Sequence, residues 1–390
     1  MPEKAKPRKP RPDFPLFPHA SGRWAKKIKG KFSYFGKVAD DPEGVAAVEK
    51  YLDQRDDLQA GRKPRDKNSG PTVRDLCNGF MASKRHLLDT RELSPKTFTG
   101  YHATVLLLAD HFGRSRAIAD LRPEDFDGLR ASFAKTRGPV SLGNEIRRTR
   151  TVFKWAYDAG LIDAPVRLGP NFKSPGKRII RQARHAAGPR MFEAADIRRM
   201  LDTAGLPLRT MILLGINCGF GQTDCATLPQ SALNLASRWL DFPRPKTAVA
   251  RRVPLWQETR DSLAAAIEAR PKAKGRANDS LLFVTRFGMP YVRMKPKATI
   301  EVGKPEFTPI DSVSLVFNRL LTDLDLKRKG LGFYALRHTF ETVAGEARDQ
   351  IAVNAIMGHD PGDIPSLYRE RIGDDRLRAV VDHVRAWLFG

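Results

Sequence analysis

Three short stretches near the C-terminus carry residue types suited to a phosphodiester: Ala335-Leu336-Arg337-His338-Thr339-Phe340, Met357-Gly358-His359, and Tyr368. A guanidinium such as Arg337 meets two phosphate oxygens with one planar fork and stays charged. His359 follows a glycine placed where a helix ends and the backbone turns left-handed. Tyr368, nine residues past His359, offers a hydroxyl nucleophile. The set fits attack of a tyrosine hydroxyl on phosphorus while an arginine and a histidine hold the phosphate. Taken singly, a histidine is more often structural, and any one of seven tyrosines is more often a packing residue. The spacing favours the chemistry.

The elements that must position these groups follow from periodicity. Helices are predicted over about 193–204, 207–218, 256–269, 311–325, 336–346 and 349–357. A hairpin signal, 239–242 and 252–255, flanks Pro245-Lys246-Thr247. Asp374–Phe389 reads as a helix whose apolar stripe is Leu377, Val380, Val381, Val384, Trp387 and Leu388.

Upstream, residues 14–38 read as strands 14–19, 23–28 and 31–38, with turn signals at Ser21-Gly22 and Lys29-Gly30. Arg23, Lys26, Lys27, Lys29 and Lys31 alternate there with Trp24, Phe32, Tyr34 and Phe35. A helix over about 42–58 is expected to turn Val45, Val48, Tyr51 and Leu52 inward. A basic sheet backed by one helix suits a DNA groove, although the aromatics also suit a plain core. Residues 61–70 have linker composition, and 72–165 are helical throughout. The last of those helices, about 141–159, buries Ile146, Val152, Phe153 and Ala156. Its other face shows Arg147, Arg148, Arg150 and Lys154, either a solvated surface or a phosphate-tracking row. Residues 166–190 read as a second, basic linker that includes Lys177 and Arg178.

Composition sets the partner. The 390 residues carry a formal charge of +24, and 41% are hydrophobic, enough for sizeable cores. So basic a chain points to a polyanion, nucleic acid before anionic membrane. No apolar run approaches the roughly 18–20 residues a membrane span needs, and no signal-peptide core follows the N-terminus. Three cysteines, Cys77, Cys218 and Cys225, suggest a reducing compartment, with Cys218 and Cys225 as core residues. No zinc-type spacing and no phosphate-binding glycine loop occurs, so neither metal nor nucleotide cofactor is expected.

With these motifs in place, the chain resembles the tyrosine recombinases of the phage-integrase family over nearly its whole length. The family's second box, His-x-x-Arg-His, stands here as Tyr334-Ala335-Leu336-Arg337-His338, with tyrosine replacing the usual histidine; its third, Leu-Gly-His, is Met357-Gly358-His359. The resemblance implies a multidomain chain, mainly α with small β-sheets. Its parts would be a basic tail (1–13), an arm-type β-sheet plus helix module (14–60), a linker (61–70), an all-helical core-binding, SAM-like domain (71–165), a basic linker (166–190) and an α+β catalytic domain (191–390). It implies site-specific recombination or integration of double-stranded DNA through a 3′-phosphotyrosine, without a cofactor, in a prokaryotic, nucleoid-associated setting. Tyr368 would be the nucleophile, with Arg337, His359 and Tyr334 on the phosphate and Lys246, in the hairpin, protonating the leaving 5′-oxygen. Arg23, Lys26, Lys27, Lys29, Lys31, Arg147, Arg148, Arg150, Lys154, Lys177 and Arg178 would contact DNA. The C-terminal helix would dock on a neighbouring protomer of a tetramer.

One departure stands out. The first box, Thr-Gly-Leu-Arg-x-x-Glu-Leu, matches Cys218-Gly219-Phe220-Gly221-Gln222-Thr223-Asp224-Cys225, so Gly221 falls where the first arginine belongs. Losing one preorganised donor at a developing dianion costs roughly 3–4 kcal/mol, about 10²–10³ in rate. Three readings stay open at this point. The reaction is slower; Arg244 or Arg251 substitutes; or the protein binds DNA without cutting it, as an accessory or regulatory relative.

Overall fold

The computed structural model describes residues 9–61, 70–299, 304–360, 362, 364 and 368–390. Residues 1–8 of the expected tail, 62–69 of the first linker, and Ser366-Leu367 beside Tyr368 lie outside them. The chain divides into two compact units, one built from the chain up to Ala183 together with Ala298–Glu306, the other from Arg184–Lys297 and Phe307–Gly390.

The first unit opens with an antiparallel sheet of β1 (Phe17–Pro18), β2 (Arg23–Ile28) and β3 (Lys31–Lys37), in that order. Lys29 and Gly30 both have positive φ, the geometry of a tight two-residue hairpin turn. Helix α1 (Val45–Ala60) packs on the sheet with Val48 and Tyr51 inward as expected, but Val45 and Leu52 of the expected face turn outward. Ala47 and Tyr51 are buried, whereas Val45 is 71% and Leu52 53% exposed. Asp41 sets this phase. Its carboxylate takes the amides of Val45 and Ala47, and its carbonyl takes the Trp24 indole N–H at 2.7 Å. The hydrogen bonds at the helix start, tied to Trp24, accompany the burial of Ala47 and the outward turn of Val45.

Four helices follow: α2 (Val73–Asp89), α3 (Pro95–Phe112), α4 (Pro123–Ala134) and α5 (Pro139–Asp158). Their starts are locally encoded. Thr72 and Asp75 form a capping box, and Ser94 caps α3 with proline in its first turn. Leu76, Phe80, Val105, Leu108, Phe112, Phe126, Ile146, Val152, Phe153 and Ala156 make one core. Phe126 stands edge-on to Phe112 and Phe153, each with centroids 5.2 Å apart.

The stretch expected to be a linker at 166–190 contains a helix, α6 (Lys177–Ala186), with no buried residue. Its Lys, Arg, Gln and Ala are strong helix formers, and the glycines at 176 and 188 lie outside it, so composition misleads about the interior.

The second unit contains α7 (Ala194–Thr203), α8 (Leu206–Asn217), α9 (Gln222–Thr227), a sheet of β4 (Leu233–Asn234), β5 (Trp239–Asp241) and β6 (Arg252–Pro254), and α10 (Gln257–Glu268). A hairpin of β7 (Val292–Pro296) and β8 (Phe307–Asp311) precedes α11 (Ser312–Asp323), α12 (Ala335–Gly345), α13 (Gln350–Met357) and α14 (Asp374–Phe389). The central helix α8 is buried from Thr210 to Asn217. Asn217 ties its end to the sheet, donating to the Pro254 carbonyl at 3.1 Å and accepting from Trp256 N–H at 3.0 Å. The α9 turn and the β7–β8 hairpin carry no clear sequence signal. One has six residues; the other is only half-buried and lacks a clean alternation. Among the described residues, no helix is long and apolar enough to cross a membrane.

The apolar stripe of α14 faces inward. Leu377, Val380, Val381, Val384 and Leu388 are buried in their own unit, and the Trp256 indole donates to the Val381 carbonyl at 2.9 Å. The stripe expected to seat a neighbour is thus already covered in cis. Leu377→Ala is accordingly expected to cost about 2–5 kcal/mol in denaturant unfolding of the dilute, DNA-free chain. A stripe reserved for another protomer would leave that monomer stability unchanged.

Candidate active site

Arg337 lies in the first turn of α12 and is 2% exposed. A buried guanidinium must find acceptors for its N–H groups. Nη1 donates to the Gly219 carbonyl at 2.5 Å, and Nη2 to the Met357 carbonyl at 2.8 Å. These carbonyls lie at the C-terminal ends of α8 and α13, where helix dipoles favour a cation. Nη2 also approaches His359 Nε2 at 2.8 Å. Arginine only donates, so Nε2 is the acceptor and the ring proton resides on Nδ1, 3.7 Å from Glu341 Oε2. His359 therefore accepts here, whereas the role expected from sequence was donation to phosphate.

Two glycines make this convergence possible. Gly219 has φ +63, and a Cβ there would sit 3.0 Å from the Phe340 ring. Gly358 has φ +62, and a Cβ there would lie 2.8 Å from Arg251 Cδ and 3.0 Å from Arg244 Cβ. Bare backbone at 358 thus admits two arginines of the β5–β6 connection beside His359. Arg244 Nη1 donates to the Gly358 carbonyl at 3.3 Å.

The first-box segment is organised around Asp224. Its Oδ2 accepts the Gly221 amide at 2.8 Å at the start of α9, and its Oδ1 accepts Arg251 Nη2 at 2.9 Å. Arg251 also donates from Nε to the Phe242 carbonyl at 2.9 Å and stacks over Phe220, 4.3 Å from its centroid. Its Nη1 is buried without a hydrogen-bond partner among the described residues. Tyr334 closes the other side: a Cβ at Gly221 would be 3.0 Å from Tyr334 Cδ2.

Burial, then Arg244, pull the pKa of Arg337 below the ordinary arginine value, opposed by Tyr334 and Asp224. Burial, then Arg337 and Arg244, lower that of His359, with Glu341 opposing. The neighbouring His338 is lowered by burial first and then Arg190 and Arg337.

The structure thus brings Arg337, His359 and Tyr334 to one place. Tyr368 is 80% exposed, and Lys246 is exposed in the β5–β6 turn; neither is tied to the cluster by a hydrogen bond or ion pair among the described residues. Arg23, Lys27, Lys29 and Lys31 are exposed on the N-terminal hairpin, while Lys26 lies over the Tyr51 ring at 4.5 Å. The cations of α5 do not form one bare row. Arg148 pairs with Glu145 and Lys154 with Asp158, whereas Arg147 bonds Asn144 and Arg150 bonds the Phe172 carbonyl. Lys177 and Arg178 are exposed at the start of α6. Asp224 and Glu341 joined the site without being anticipated. Asp224, three residues after Gly221, was visible only as a register mark.

No protein-family model matches the sequence, and a search of curated proteins finds no relative. Solved structures do match. A lambda integrase tetramer bound to a Holliday junction aligns with a TM-score of 0.56 at 15% identity, over 93% of this chain and 98% of that one. The values are the same for a lambda integrase dimer bound to a COC′ core site. The Tn1549 transposon integrase in complex with transposon right end DNA gives 0.56 at 16% identity, over 81% of this chain and 100% of that one. The chain has the fold of these integrases, mainly helical with small antiparallel sheets.

The lowered pKa of His359 has a sign that can be checked. The unfolded chain takes up a proton first, so this contribution to stability is complete above the ordinary imidazole pKa of about 6.5 and is lost as pH falls through the lower folded value. Between about pH 7.5 and about pH 5, the wild type should lose more thermal stability than His359→Asn, whose side chain does not titrate. Parallel curves would contradict the assignment.

Proposed function

We propose that this protein is a tyrosine recombinase, a DNA strand transferase that integrates or recombines a mobile element. The observation that carries the reading is the buried Arg337 guanidinium, held with His359 at two helix ends, in a fold shared over 93% of the chain with DNA-bound lambda integrase. In the proposed step, the Tyr368 oxygen attacks phosphorus. The Oη–P bond forms, the P–O5′ bond breaks, and the 5′-oxygen takes a proton from Lys246. Arg337 turns its fork from His359 to the non-bridging oxygens, which frees Nε2 of His359 to receive the tyrosine proton. One phosphodiester replaces another, so no energy-supplying cofactor enters. The step requires both Tyr368 and Lys246, which are exposed, to reach the phosphate at Arg337.

The basic sheet around Arg23, Lys27, Lys29 and Lys31, and Arg147, Arg150, Lys177 and Arg178 farther along, would supply salt-sensitive phosphate contacts. The protein would assemble as a tetramer on two duplexes, as lambda integrase does on a Holliday junction. Because its apolar stripe is occupied, α14 would contribute its outer, polar face to that assembly. Such a protein acts at the DNA of a prokaryotic cell. Gly221 alone favours a second reading, a relative that binds DNA without cutting it.

A pool of nicked duplexes, selected for binding to the protein, tests the reading by denaturing electrophoresis. The account expects a protease-sensitive protein–DNA adduct that disappears in Tyr368→Phe. Salt-sensitive binding with no adduct on the selected duplexes would overturn it in favour of the non-cutting relative.

A further inference from the structure

We propose that Arg244 supplies to the scissile phosphate the second guanidinium that position 221 lacks. The inference rests on the strand-transfer reading above and identifies how that site is completed.

Position 221 is crowded, and a side chain there would have to push the Tyr334 ring aside. The Tyr334 ring lies 3.0–3.1 Å from where a Cβ would begin, and Asp224 Oδ2 lies 3.4 Å away. Gly221 and Tyr334, the two departures from the family pattern, thus fill each other's space. The lost charge has to come from elsewhere.

Two arginines of the β5–β6 connection are close enough, and their surroundings separate them. Arg251 is occupied. Its side chain is 0% exposed, it pairs with Asp224 at 2.9 Å, and it stacks on Phe220. Drawing it out would leave a buried carboxylate without its counter-ion, so it serves as the partner of Asp224. Arg244 is half-buried and makes one side-chain hydrogen bond, from Nη1 to the Gly358 carbonyl at 3.3 Å; its Nε and Nη2 have no hydrogen-bond partner among the described residues. That carbonyl directly precedes His359.

The backbone at Arg244 is well placed to aim it. Its amide donates to Val249 at 2.8 Å, and its carbonyl accepts from Thr247 at 3.1 Å and Ala248 at 2.8 Å. Arg244 therefore sits on the braced base of the turn whose tip carries Lys246. Its charge is felt at Arg337, Arg251 and His359, whose pKa values it lowers. Arg244 thus adds a third positive charge to Arg337 and Arg251, which share the one nearby carboxylate of Asp224, with Glu341 beyond His359. An anion between Arg337 and Arg244 relieves that repulsion, and a phosphodiester gaining charge in its transition state relieves it most.

The test uses the full chain and nicked duplexes in two forms, one with an ordinary scissile phosphate and one with a methylphosphonate, which lacks one negative charge. At saturating DNA, Arg244→Ala should slow adduct formation on phosphate by about 10²–10³ while binding changes only a few-fold. Arg244→Lys should recover part of the rate. On methylphosphonate the penalty of Arg244→Ala should largely vanish, because the charge it answers is gone. A wild-type rate for Arg244→Ala, or an equal loss on both substrates, overturns the inference while leaving strand transfer standing. Wild-type protein that forms no adduct overturns the strand-transfer reading, and this inference with it.

Discussion

The second unit is organised by the need to satisfy a buried guanidinium. Arg337 is charged and removed from water, so its N–H groups must find oxygen or nitrogen at fixed positions. It finds them at the ends of α8 and α13 and at His359. Each helix end is thereby pinned: Gly219 must turn the chain just after α8, and Gly358 just after α13. The apolar packing of α12 on α8, where Leu336 closes on bare Gly215, holds the two helices at the separation the guanidinium spans.

The same arrangement leaves the site with unbalanced positive charge. Arg251 is neutralised by Asp224, but among the described residues neither Arg337 nor Arg244, which bond the carbonyls of Met357 and Gly358, forms an ion pair. A protein under no demand to bind an anion gains nothing from that repulsion. On the proposed reading, the missing first arginine would be a relocation, with its charge supplied by the neighbouring connection. The exposure of Tyr368 is compatible with the proposed reading, in which the phosphate would be held by the charged groups around Arg337.

Local features made much of this legible in the sequence. The Gly358-His359 corner was readable because a left-handed helix end leaves a mark on residue type. The starts of α2 and α3 were readable from Thr72, Asp75 and Ser94. The expectations that differed depended on distant partners. Asp41, bonded to Trp24, sets the start of α1 so that Ala47 joins Tyr51 in the core and Val45 turns out; α14 buries its stripe at home because Trp256 and the core around α12 receive it. The split between Arg244 and Arg251 is of the same kind. Both stand in one connection in sequence, and only the positions of Asp224 and Phe220 decide which is held.

Arg337→Lys is the most direct test of the central claim, because lysine keeps the charge and removes the fork. Adduct formation at saturating DNA would be compared with wild type, alongside DNA binding and thermal unfolding. The account predicts a folded, DNA-binding protein whose adduct formation falls by at least about 10². A variant that forms adduct at the wild-type rate would show that the guanidinium fork between the two helix ends is structural, and that the phosphate is held elsewhere.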